Sequence, residues 1–127
     1  MIEIDLGQLT KTVQHLAKDH RKLIGVVKNN AYGCGSIEVS KHLVRLGVDI
    51  LLVNDIDEAI VLIESGIGVD ILVHNSLEKD KIHYLQKYPQ LIPTINRLKD
   101  LALIEPLRVD HVINVHIQID TKMNRLG

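Results

Sequence analysis

Apolar residues in this chain fall into short runs that each stop at an asparagine. Residues 23–29, 50–54, 71–75 and 91–96 form four such runs, and the closing residues Asn29, Asn54, Asn75 and Asn96 are spaced by 25, 21 and 21 positions. After each run, apolar positions recur at helical rather than alternating spacing. The unit after Asn54 shows this best: Ile56, Ala59, Ile60 and Ile63 fall at i, i+3, i+4 and i+7, with Asp57, Glu58 and Glu64 off that stripe. Asp55 and Glu58 have the pattern of a capping box, and Gly66 is a natural stop. Asparagine suits both a tight turn and a helix N-cap, which gives its recurrence at these junctions a mechanism.

The same reading predicts a first helix over residues 9–20 and another over residues 77–88, with Ile82 and Leu85 on its inner stripe. A further helix follows Asn96 through Leu98, Leu101 and Ala102 and must end before Pro106, which cannot continue it. Strands alternating with helices imply an α/β fold with a parallel sheet and right-handed crossovers. Pro93 is an awkward fit inside the fourth strand, because a proline cannot donate to a ladder. The last segment reads differently: Ile113, Val115, Ile117 and Ile119 alternate with Asn114, His116, Gln118 and Asp120. In a barrel that polar face lines a functional interior near the mouth; in an open sheet it meets water. The pattern alone leaves both open. No linker or low-complexity stretch divides the chain, so its 127 residues are one domain or part of one.

The chain is 46% hydrophobic, nearly all of it Ile, Leu, Val and Ala, with no Phe or Trp and only Tyr32, Tyr84 and Tyr88 as aromatic rings. A core of branched aliphatics suits a buried parallel sheet. A net charge of −1 offers no electrostatic footprint for nucleic acid or an anionic membrane. The single Cys34 excludes an intrachain disulfide and fits a reducing compartment. With no leader peptide and no 18-residue apolar run, the sequence reads as soluble and cytoplasmic.

The candidate chemistry lies in Val26-Val27-Lys28-Asn29-Asn30-Ala31-Tyr32-Gly33-Cys34-Gly35, where a lysine ends an apolar run and a tyrosine and glycines follow. Burial strips hydration from an ammonium group and makes the neutral, nucleophilic amine available for Schiff-base chemistry. Glycines let the backbone approach a ligand, with amides free to meet a phosphate. A snorkelling lysine before an ordinary turn is the bland alternative, and the residues by themselves do not remove it. The histidines form no HExxH or Cys/His cluster, so no structural metal is expected; His74 and His116 can line a barrel mouth.

This lysine segment resembles the pyridoxal-phosphate lysine motif of alanine racemases. Two further segments resemble the same family in the same order. Ile2-Glu3-Ile4-Asp5-Leu6 is similar to its N-terminal strand, and residues 115–127, ending Met123-Asn124-Arg125-Leu126-Gly127, to its arginine-bearing segment. The resemblance implies a partial TIM-type (β/α) barrel of about five parallel strands. Residues 1–127 would be the N-terminal portion, without the family's C-terminal β domain. It implies pyridoxal 5'-phosphate as cofactor, Lys28 as the catalytic residue that carries it, and Tyr32 as a phosphate contact. Arg125 would stand near the cofactor's phenolic oxygen and the substrate carboxylate.

A small amino-acid substrate, a homodimer and D-alanine supply for the cell wall follow from the same source. The family's second base is a tyrosine of the partner subunit, and no counterpart occurs in these residues. A truncated racemase, with little or no activity alone, is therefore expected. Serine or another amino acid as substrate, or a non-catalytic cofactor-binding module completed by another chain, are the alternatives. Three positions depart from the family pattern. Gln118 stands where many members carry a carbamylated lysine, Lys122 where glycine is usual, and Cys34 where histidine is frequent. The neutral Gln118 amide could hydrogen-bond Arg125 but supplies no negative charge, and Lys122 could disturb a turn needing positive φ.

Overall fold

A computed structural model of the chain describes residues 3–18, 22–109 and 112–127. Helix α1 (Leu6–Ala17) leads into strand β1 (Ile24–Val26), which passes through the short turn α2 (Lys28–Tyr32) into α3 (Ser36–Arg45). Then follow β2 (Ile50–Val53), α4 (Ile56–Glu64), β3 (Asp70–Val73), α5 (Tyr84–Lys87), β4 (Leu91–Ile95) and α6 (Leu98–Ile104). A 3-10 turn (Glu105–Val109) precedes the last strand, β5 (His116–Ile117).

All four strand pairs are parallel and the sheet order is β1-β2-β3-β4-β5. The chain steps one strand at a time in one direction, without the reversal of a doubly wound sheet. The helices share one face of the sheet. A single buried cluster joins Val27, Leu51, Val53, Ile71, Val73, Leu91 and Ile95 to Val39 and Leu43 of α3, Ile56, Ala59 and Leu62 of α4, and Leu85 and Ile104. The alternate strand residues Val26, Leu52, Leu72 and Ile92 are outside that cluster and stand side by side in register on the opposite face. Strand periodicity of two makes this separation inevitable. The arrangement is a partial TIM-type barrel, five parallel strands with helices outside and a concave inner face.

Close approach of α3 to the sheet depends on Gly25. A Cβ there would meet Leu43 Cδ1 at 2.8 Å and Leu51 Cδ2 at 2.9 Å. Pro93 sits mid-strand and buried without breaking the ladder. The Ile71 amide donates to the Gln90 carbonyl at 2.8 Å, so by alternation residues 92 and 94 serve β3 and residue 93 faces the β5 side. Pairing with β5 begins only at Thr94, one residue past the proline.

Four expectations need correction. The helix expected over residues 77–88 is confined to Tyr84–Lys87 and preceded by turns, although Leu77, Ile82 and Leu85 are all buried. In one continuous helix, Leu77 and Ile82 would point about 140° apart and could not share an inner stripe. The first helix starts earlier than expected, because the Asp5 side chain accepts from the Gly7 amide at 2.8 Å and caps it at Leu6; His20, its expected end, lies outside the described residues. Residues 3–5, similar to the family's N-terminal strand, pair with no strand among the described residues, and Ile2 lies outside them. The capping box of α4 is only half made. Asp55 accepts from the Glu58 amide at 3.0 Å, but the Glu58 carboxylate turns to other donors.

Candidate active site

Two residues beyond the apolar row of Val26, Leu52, Leu72 and Ile92, the same inner face becomes polar. Asn54 and His74 directly follow the paired ends of β2 and β3, Thr94 and His116 are in direct register, and Lys28 follows β1 as the first residue of α2, so all five stand at the C-terminal ends of the strands. Val53 and Val73 are 1 and 2% exposed on the helix side, so alternation turns Asn54 and His74 the opposite way, whereas Val27 leaves the extended region at ψ 18° and Lys28 is tied to His74 by the effect of its charge. Lys28 itself is half-buried.

Arg125 belongs to this neighbourhood. The pKa of His74 is lowered by burial first, then by the positive charges of Lys28 and Arg125. The charges of Lys28, after β1, and of Arg125, after β5, thus both reach His74 at the end of β3, and with burial they favour its neutral imidazole.

Lys28 opens into an unusual turn. Asn29, Asn30, Ala31 and Tyr32 have φ of 52, 55, 51 and 56°, a full left-handed turn, and Gly33 follows at 88°. Asparagine tolerates this conformation, but Ala31 and Tyr32 pay roughly 1–2 kcal/mol each. Hydrogen bonds hold the turn shut: Ala31 N–H donates to Val27 O at 2.8 Å, Gly33 N–H to Asn29 O at 3.1 Å, and Gly35 N–H to Asn30 O at 3.0 Å. The Asn30 side chain accepts from Ser36 N–H at 2.8 Å and joins the turn to α3. The result buries Ala31 and leaves Tyr32 64% exposed, on the same strand end as Lys28.

Glu58 was absent from the residues singled out for chemistry. Its Oε1 accepts from the Asn29 amide at 2.6 Å and its Oε2 from the Asn54 amide at 2.8 Å, joining the ends of β1 and β2. Asn54 Nδ2 donates to Asn29 Oδ1 at 3.0 Å and closes the ring. A signal existed in the spacing: an acid four residues after a strand-ending asparagine recurs as Asn96 and Asp100. There, Asp100 Oδ2 accepts from the Asn96 and Arg97 amides at 3.1 and 3.0 Å, both within its own loop.

The arginine-bearing segment folds around Asp120, whose Oδ1 accepts from the Met123 and Asn124 amides at 2.9 and 3.0 Å. Lys122 has φ 80° and Asn124 φ 54°, so the position where glycine is usual does require the left-handed region, and this chain fills it with lysine. Gln118 N–H donates to Ile95 O at 3.0 Å, and alternation with Ile117 turns its side chain to the inner face. Among the described residues no hydrogen bond links it to Arg125. Cys34 is exposed. No helix among the described residues is long and apolar enough to cross a membrane.

Consecutive parallel strands, helices on one face and a lysine in a polar layer at the strand ends define the opening part of a β/α barrel with a lysine-centred site. The model of the alanine racemase N-terminal domain family matches residues 4–127, and the chain belongs to that family. It is 37% identical over 118 residues to an alanine racemase of Streptococcus agalactiae, covering 92% of this chain and 32% of the relative. It is 35% identical over 115 residues to an amino-acid racemase of Enterococcus faecalis, covering 91% of this chain and 16% of that protein. The crystal structure of alanine racemase from E. faecalis superposes with a TM-score of 0.89 at 29% identity, over 98% of this chain and 35% of that one. The chain thus spans between 16 and 35% of the length of these relatives.

Proposed function

We propose that this chain is the lysine-bearing part of a pyridoxal-phosphate-dependent alanine racemase, an isomerase interconverting L- and D-alanine. The observation that carries the reading is the placement of Lys28 at the C-terminal end of β1, near enough to His74 that its charge, with that of Arg125, lowers the imidazole pKa. The donor set fits the cofactor: a primary amine to hold it covalently, a tyrosine hydroxyl on the adjoining turn for its phosphate, and a guanidinium for an anionic oxygen. When bound, pyridoxal phosphate supplies an electron sink for negative charge developing at a substrate α-carbon.

Lys28 would hold the cofactor, and its amine would take or return a proton at one face of the substrate α-carbon. The Tyr32 hydroxyl would donate to the phosphate, and Arg125 would orient the substrate carboxylate. His74, neutral, adds no competing positive charge. Racemisation needs a second proton donor on the opposite face, so these 127 residues alone carry little or no activity. A homodimer, a cytoplasmic location and D-alanine supply for peptidoglycan precursors follow from the family.

A second reading keeps the fold and cofactor and changes the substrate, since one relative is described as an amino-acid racemase. The test is to add pyridoxal phosphate, reduce with borohydride and map the adduct, with Lys28→Ala as control. A reducible adduct at Lys28 that is lost in the variant is the expected result. Labelling of Lys28 no greater than that of surface lysines would defeat the cofactor reading.

A further inference from the structure

We propose that Glu58 is a positioning residue of the Lys28 site, a carboxylate that aims the lysine by clamping the peptide plane next to it. The two oxygens of one side chain hold two neighbouring strand ends, through Asn29 N–H at 2.6 Å and Asn54 N–H at 2.8 Å. The Asn29 amide is not a remote handle. A peptide unit is planar, and the plane that carries the Asn29 N–H also carries the Cα, carbonyl carbon and oxygen of Lys28. The plane on the other side of the Lys28 Cα is held through Val27 O, which accepts from Ala31 N–H at 2.8 Å, and with both planes set the Lys28 side chain leaves the backbone in one direction, its χ angles alone remaining free. The same bond holds the first residue of a left-handed turn, Asn29–Tyr32, whose last two members strain against it. Tyr32 is therefore set by the same clamp.

The chemistry suits the task. A carboxylate accepting two backbone amides makes charge-assisted bonds, stronger than those of a neutral amide. Glu58 sits in the first turn of α4, where the helix dipole favours its negative charge. Asp100 supplies an internal comparison. At the equivalent place after β4 the shorter side chain caps its own loop through Asn96 and Arg97, without bridging to a neighbouring strand. The extra methylene of Glu58 is what lets one oxygen reach across to β1.

That comparison designs the test. Glu58→Asp is expected to keep the Asn54 contact and lose the Asn29 contact, whereas Glu58→Gln presents one amide N–H toward a donor and weakens one of the two. Amide exchange by NMR reads the clamp in the chain without cofactor. In Glu58→Asp the Asn29 amide should exchange roughly tenfold or more faster while the Asn54 amide and the thermal melt change little. Borohydride trapping with pyridoxal phosphate then reads the consequence, with an affinity at Lys28 roughly 10- to 100-fold weaker in either variant.

The second measurement rests on the cofactor reading above and the first does not. Glu58-dependent protection of Asn29 in a chain whose Lys28 takes up no cofactor would support the clamp and sink the cofactor reading. Unchanged Asn29 exchange in both variants overturns the clamp, as does wild-type trapping in both. Should Glu58→Asp not fold, Glu58→Gln carries both readouts; loss of trapping only in proportion to the unfolded fraction would also overturn the proposal, leaving Glu58 a structural cap.

Discussion

The His74 imidazole and the Lys28 amine follow strands two apart in the sheet, yet they lie near enough at its C-terminal edge that the lysine's charge helps hold His74 below its ordinary pKa. The larger cause is burial, with Arg125 adding to the effect of Lys28.

This makes folding pH-dependent in a defined direction. The unfolded histidine binds a proton near its ordinary pKa of 6.5, while the folded one resists it. As pH falls through that value the unfolded chain gains protons that the folded chain does not, so stability declines toward acid. Thermal melts between about pH 7.5 and 5.5 should fall more steeply for the wild type than for His74→Leu. Parallel slopes would show that His74 does not couple to folding.

Lys122 is a candidate for stabilisation. It holds φ 80° in the turn that leads to Arg125. Glycine enters this region without a Cβ clash, so Lys122→Gly should raise stability by about 1 kcal/mol in denaturant titrations. A destabilised variant would mean that the lysine side chain contributes more than its backbone costs.

Gly25→Ala should do the reverse. The new methyl would press on Leu43 and Leu51, both in the core, at 2.8 and 2.9 Å. Overpacking of this kind costs about 1–3 kcal/mol. Combining it with Leu43→Ala should be less damaging than the sum of the two single changes, because the shortened side chain makes room. Strict additivity in a double-mutant cycle would rule out the contact as the cause.

Tyr32→Phe isolates the hydroxyl. The side chain is mostly exposed and the turn is closed by backbone bonds, so folding should be unaffected. If the hydroxyl holds the cofactor phosphate, its loss should weaken pyridoxal phosphate binding by about 0.5–1.5 kcal/mol, a few-fold to about tenfold. Equal affinity in a spectroscopic titration would remove Tyr32 from the site.

Much of this was readable along the chain. Apolar runs closing at Asn29, Asn54, Asn75 and Asn96 marked the strand ends, and the alternation from Ile113 to Asp120 marked a face that turned out to be the inner one. Those are local signals, set by whether a side chain meets apolar neighbours or a polar space every second or every third to fourth residue. The lysine segment was conspicuous for the same reason, a cationic residue closing a β-branched run.

What the chain order could not settle was which strand lies beside which, and everything that follows from that. Barrel against open sheet was decided by the consecutive parallel order and by helices gathered on one face. Helix 77–88 broke up because Leu77 and Ile82 both found burial, which no single helical stripe allows. Glu58 had the look of a local cap; its reach to Asn29 exists only because β1 and β2 pair in the observed register. His74 likewise meets the charges of Lys28 and Arg125 only across strands. Periodicity in a sequence records each residue's own environment, whereas contacts between residues far apart in the chain are created by register and packing when the strands assemble.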